Sequence, residues 1–311
     1  MSTTDDTFSG SAAEPRADHA PAPLPWMRVL YWSVRRELWE NRAVIVAPLA
    51  VAALALAGFL LSSFTLPHAM TAIEAGDLKR ADRLMTGHSF VALAVLLTGL
   101  VVAAFYSLGA LNGERRDRSL LFWKSLPVSD LTTVLSKACV PMVVTPVLTY
   151  VIVVACQAAF LAWSTVIVGL SGHSLPTLWK HENLGLMWVV LPYGLLVNAI
   201  WQSPLHAWFL LVSGWARRMA IVWALAPIVG LAVFERVAFG TSNLAKLGGY
   251  ALFGGFGEAF SVEGKGQAAI ESFGQVDPAR VMALPYFWIA PAVAALLIWA
   301  AARRRRSAIP F

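Results

Sequence analysis

Long apolar runs, each closed at its ends by polar or basic residues, recur along the chain. An apolar run of about 20 residues is long enough to cross the hydrocarbon core of a bilayer as a helix. The pattern predicts six such spans, at about 43–64, 89–111, 138–168, 186–212, 219–239 and 284–302. A membrane barrel would alternate apolar and polar positions over strands of about 10 residues, whereas these runs are continuous. Asn112-Gly113 reads as a helix stop and Ser129-Asp130 as the cap of a new helix. Pro141 and Pro146 are expected to kink or locally unwind the third span, which membrane helices tolerate.

The stretches between the runs divide the rest of the chain. Residues 1–23, rich in Ser, Thr, Ala, Pro and Asp, are expected to form a disordered cytoplasmic tail. They lack the basic n-region of a signal peptide. From Pro25 to Asn41, the residues Met27, Leu30, Tyr31, Val34 and Leu38 share one helical face, with Arg28 and Arg35 opposite. Together with Trp26, Trp32 and Trp39, this predicts an interfacial amphipathic helix over 24–42 that lies on the cytoplasmic leaflet. Glu37 falls at the edge of its apolar face. Residues 65–88 and 169–185 read as polar loops, and 213–218 as a tight turn. The segment 240–283 is rich in Gly, and 246–260 is apolar enough to dip into the outer leaflet. Residues 303–311 form a basic tail behind the six-span domain of 43–302.

Composition agrees with an all-α integral membrane protein. The 311 residues are 58% hydrophobic and 14% charged, where a soluble domain carries about 25% charged residues. The net charge is +6 and the pI about 9.6. The charges sit at the ends of apolar runs, which is membrane topology rather than nucleic-acid binding. With the N-terminus inside, one side holds Arg28, Arg35, Arg36, Arg42, Arg115, Arg116, Arg118, Lys124, Lys137, Arg217, Arg218 and Arg303 to Arg306. The other holds Lys79, Arg80, Arg83, Lys180, Arg236, Lys246, Lys265 and Arg280, spread over longer loops. Six spans with both termini cytoplasmic is the consistent solution. Cys139 and Cys156 lie on one helix roughly 25 Å apart and cannot pair with each other.

Several chemistries are excluded. No G-x-x-x-x-G-K-[ST] occurs, so the chain holds no P-loop. His181-Glu182-Asn183-Leu184-Gly185 lacks the second histidine of H-E-x-x-H. Gly169-Leu170-Ser171-Gly172 resembles an intramembrane serine-protease motif, but Ser171 and His206 are placed roughly 30 Å apart along the helix axes.

The densest basic segment between spans is 112–137, NGERRDRSLLFWKSLPVSDLTTVLSK. Inside it lies the apolar block Leu120-Leu121-Phe122-Trp123. A linker that needed only to be soluble would not carry that block, so we read it as a docking element. The arginines also suit anionic headgroups, at about 1 kcal/mol each.

The chain resembles the ABC type-2 transporter permeases. The resemblance rests on Gly109 to Ser119, Phe122 to Asp130 continuing to Lys137, Trp201 to Arg218, and Glu235-Arg236 followed by Phe239 to Ser242. It implies a six-span permease that is half of a dimeric pore, in a bacterial inner membrane. A second permease subunit completes the pore, and separate P-loop ATPase subunits bind ATP and Mg beneath it. No cofactor is implied in this chain itself. By the resemblance, the coupling helix lies between spans two and three, with Glu114, Arg115, Arg116, Arg118, Leu120, Leu121, Phe122 and Trp123 meeting the ATPase. The alternative is a membrane scaffold or sensor subunit with no transport path.

One polar stripe crosses the fourth span. Asn198, Gln202 and His206 are spaced i, i+4, i+8, with a drift of about 80°. Polar side chains in lipid are costly, so the stripe must face helices or water. Helix–helix hydrogen bonding and a translocation path both satisfy that demand. Glu235 and Arg236 read either as a gate or as a solvated helix end.

Overall fold

A computed structural model describes residues 25–76, 87–116, 128–176, 184–216, 218–260 and 273–306. Among them the named elements are helical, with one isolated bridge between Phe260 and Val276. Helix α1 is Trp26–Glu40 and α2 is Ala43–Ser62, which passes through a 3-10 turn, Ser63–Thr65, into α3, Leu66–Glu74. Then follow α4 (Gly87–Arg116), α5 (Asp130–Cys139), α6 (Thr145–Leu170), α7 (Leu184–Ser213), α8 (Ala220–Phe239), α9 (Asn243–Ala259), α10 (Pro278–Ala283) and α11 (Pro285–Arg306).

Six helices are long and apolar enough to cross a membrane: Ala43–Glu74, Phe90–Glu114, Asp130–Leu170, Gly185–Ser213, Ala220–Phe239 and Pro285–Arg306. The fourth is central. Over half of its apolar window, 56%, is buried in the protein, against 17% for the first and fifth. It packs against α4, α6, α9 and α11. Trp201 and Leu210 on it are fully buried, among the largest side chains of the core.

The first three spans run past the predicted boundaries. Helix continues beyond Thr65 because Pro67 stands in the first turn of α3, where its missing N–H costs nothing. Leu66, Ala69 and Met70 are then buried against Val168. Helix α4, which carries the second span, does not stop at Asn112-Gly113 but continues to Arg116. Ser213 Oγ accepts from the backbone N–H groups of both Leu111 and Asn112, at 2.9 and 3.0 Å. The third span begins at Asp130, with Ser129 accepting from Thr132 N–H at the cap. A π turn over Val140–Val144 carries Pro141. There Thr145 returns its hydroxyl and its N–H to the Val140 carbonyl, so the irregular turn leaves that oxygen satisfied.

The segment after the fifth span is organised by span four. Helix α9 lies on α7 and buries Ala259 and Gly255 there. A Cβ on Gly255 would stand 2.7 Å from Asn198 Cα, so only glycine allows this approach. Trp201 of α7, Tyr250 of α9 and Tyr286 of α11 meet edge-on or tilted, with ring centroids 5.0 to 5.8 Å apart. Glu235 holds the start of α9. Its carboxylate accepts from Thr241 Oγ1 and from the N–H groups of Asn243 and Leu244, at 2.5, 2.7 and 2.7 Å. These are backbone donors that a helix start leaves without intrahelical partners. Of the two readings, solvated helix end or gate, the geometry adds a third role, a cap for the next helix. Arg236 donates to the Gly240 carbonyl at 2.8 Å, closing the end of α8.

Candidate functional site

Helix α1 packs on the start of the third span, and the last turn of α11 packs there too. Charged side chains from α1, α4, α5 and α11 meet at this end of the bundle. Glu37 of α1 is completely buried, although it stands in a helix with exposed aromatic residues. Lys137 Nζ donates to both Glu37 oxygens, at 2.9 and 3.0 Å. Tyr106 OH donates to Glu37 Oε2 at 2.9 Å, and Arg36 Nη2 to Oε1 at 3.0 Å. Lys137 Nζ also lies 3.1 Å from Glu114 Oε1. Arg305 Nη2 is 3.1 Å from Glu114 Oε2, and its Nη1 reaches Asp130 Oδ1. The alternation of Glu37, Lys137, Glu114, Arg305 and Asp130 compensates charge along the chain of contacts.

Burial by itself would raise the Glu37 carboxyl. Lys137, first by its charge and then by its hydrogen bond, and next Arg36 and Tyr106, outweigh burial and hold it below the ordinary carboxylate range. Glu40, on the next residue face, moves the other way, raised first by burial. Removing one partner of a buried pair costs about 3–5 kcal/mol, because the remaining charge is left uncompensated. Apolar packing surrounds the cluster. Val44, Tyr106 and Val140 form a small core with Leu38 against them, and Leu111, Val134, Ala138 and Leu210 another.

Glu114, expected in the coupling element, is thus engaged within the chain by Lys137 and Arg305. Arg115 and Arg116 close helix α4 by their backbone. Their side chains, and all of Arg118, Leu120, Leu121, Phe122 and Trp123, lie outside the described residues.

The three residues of the polar stripe separate onto two neighbours. Gln202 Nε2 donates to the Leu252 carbonyl of α9 at 2.8 Å. Asn198 faces Gly255 of α9, its Oδ1 buried. His206 is buried against α4, with Nδ1 3.3 Å from Ser107 Oγ. Ser107 gives its hydroxyl hydrogen to the Ala103 carbonyl at 2.8 Å, so His206 Nδ1 is the donor toward Ser107 Oγ. All three residues face helices of this chain. Trp188 adds a further polar link by donating to Gln157 Oε1 at 2.9 Å, which joins spans four and three.

Sequence reasoning missed the cluster. Glu37 was visible only as an acid misplaced on an apolar face, Lys137 only as a linker cation, and Arg305 only as part of a basic tail. The misplaced acid was the usable signal, since a carboxylate there needs a buried partner. No protein-family model, no curated protein and no solved structure matches the chain. Among the described residues no group of His, Cys, Asp and Glu side chains is placed to hold a metal ion.

Proposed function

We propose that this chain is the membrane-spanning permease subunit of an ABC exporter, driven by separate P-loop ATPase subunits and completed by a second permease. One observation carries the reading. The amphipathic helix α1 is tied by charge to the end of the bundle from which spans two and three enter the basic linker of residues 117–127. A partner pressing on that linker would meet a rigid platform rather than two independent helix ends. The resemblance of the linker to a coupling element and the lack of a P-loop support the same assignment. The contacts of Gln202 with α9 and of His206 with α4 favour the helix-holding role of the stripe over a lining of the path between two permease subunits.

The test is co-expression with a candidate P-loop ATPase subunit from the same genome. The chain alone is expected to hydrolyse no ATP, and the ATPase to co-purify with it. Phe122→Ala and Trp123→Ala should each weaken that association by about 2 kcal/mol or more, as for a buried aromatic anchor. Intact assembly and transport in both variants, with Arg115→Ala mislocalising the protein, would assign the linker to headgroup binding and remove the coupling role.

Topology has its own test. In a chain without Cys139 and Cys156, single cysteines at the exposed positions Thr71 and Lys246 should react with an impermeant thiol reagent applied outside the cell. One at Met219, 71% exposed in the turn between spans four and five, should react only from the cytoplasmic side. Labelling of Met219 and Lys246 from the same side would overturn the six-span arrangement.

A further inference from the structure

Helix α1 is fixed in rotation. Glu37 holds one side of it in the bundle, so the opposite side faces away. At about 100° per residue, Arg28, Trp32, Arg35 and Trp39 fall within an arc of about 60° opposite Glu37. All four are exposed, Trp32 at 54% and Trp39 at 67%. The apolar face expected to meet the leaflet is divided instead. Leu30, Val34 and Leu38 are half-buried toward the bundle, while Met27 and Tyr31 stay exposed beside the Arg-Trp stripe.

The stripe has a specific geometry. The Arg35 guanidinium lies 5.0 Å from the Trp32 ring centroid and 5.6 Å from that of Trp39. Two rings therefore hold one guanidinium, and its planar fork of donors suits a phosphate. Glu40 borders the stripe on its other side and lies 3.5 Å from Arg36, which offsets its charge. Arg42 is exposed just beyond the end of α1. The first candidate span begins at Ala43, so the stripe adjoins the end of a span, where headgroups are expected. Tryptophan favours that depth because its ring is apolar and its N–H polar.

We propose that this face docks anionic phospholipid, with Arg35, held between Trp32 and Trp39, as the headgroup clamp and Arg28 as the second cation. Phosphate is common to charged and zwitterionic lipids. A choline headgroup would bring its own cation against Arg28 and Arg35, so the face selects lipid of net negative charge. An acidic protein surface would also match the arginines. Two exposed tryptophans at the foot of a span fit a lipid interface better. The assignment is independent of the transport reading.

The test titrates the purified full-length chain in detergent with fluorescent phosphatidylglycerol and phosphatidylcholine analogues. Phosphatidylglycerol should bind the tighter. Arg35→Gln and Arg28→Gln should each lower its affinity about fivefold, the loss of one cation near an anionic lipid. Arg35→Lys keeps the charge without the stacked plane and should fall between Arg35→Gln and the parent. Arg236→Gln, at the far end of the bundle, should change nothing. These positions are exposed, so every variant should melt with the parent protein in phosphatidylcholine. Equal affinity of the parent for the two lipids, or unchanged phosphatidylglycerol binding in both glutamine variants, would overturn the proposal. Stripe variants that keep the lipid preference but lose a co-purifying acidic protein would also overturn it and give the face to that protein.

Discussion

Replacing Lys137 with methionine is expected to lower the melting temperature of the detergent-solubilised protein more than any other single substitution at the bundle end. Lys137 is 2% exposed and serves Glu37 and Glu114 together. Methionine fills much of the same volume, so the loss is electrostatic rather than a cavity. It leaves Glu37 fully buried with Tyr106 and the adjacent Arg36 only. The expected cost is about 3–5 kcal/mol. The double variant Lys137→Met with Glu37→Gln should recover a good part of it, since the stranded charge is then gone. Acid should act in the same direction. A carboxyl held below its ordinary range stabilises the fold above that range, and the contribution disappears as pH falls through the folded-state value. The parent protein should therefore lose stability on acidification below the ordinary carboxylate range, and the double variant should lose less. A Lys137→Met protein that melts with its parent would show that the cluster carries no stability.

Gly255→Leu should release α9 from span four. Its Cβ would stand 2.7 Å from Asn198 Cα and 3.0 Å from Trp201 Cβ, and a backbone atom in the middle of a span cannot step aside. Overpacking of this kind typically costs about 1–3 kcal/mol. Here undocking also sacrifices the Gln202 to Leu252 bond and uncovers Trp201. Hydrogen exchange should rise across 243–259, with the six spans keeping their protection. Gly249→Ala is the control. Nothing lies within 4 Å of its Cβ position, and alanine in an open helix gains about 0.5–1 kcal/mol over glycine. Unchanged exchange of α9 in Gly255→Leu would mean that the glycine is not what permits the docking.

The spans were readable because continuous apolar length is a property of the residues alone. What escaped depended on distant neighbours. Pro67 reads as an interruption until Leu66, Ala69 and Met70 are seen buried on Val168. Asn112-Gly113 reads as a stop until Ser213 accepts from the backbone N–H groups of Leu111 and Asn112. Residues 246–260 are apolar enough for lipid, yet the small surface of Gly254 and Gly255 directs them onto span four. The stripe of Asn198, Gln202 and His206 was legible as polar and inward-facing. Which helices it meets was not, because three residues on one helix carry no information about the partner. Glu37, Lys137, Glu114 and Arg305 were each visible as charges. Two of their contacts, Glu37 with Lys137 and Glu114 with Arg305, join positions 100 and 191 residues apart, beyond the reach of any local pattern.

Arg305 carries one consequence for biosynthesis. It meets Asp130 and Glu114 across 175 and 191 residues of sequence. A ribosome delivers both acids to the membrane long before that arginine emerges. During translation the nascent chain therefore carries Asp130 without this arginine, and Glu114 with Lys137 but not yet Arg305, until the last span is made. An interrupted polypeptide, or one shortened before Arg305, cannot close the circuit. It leaves Asp130 without its arginine at that end of the bundle.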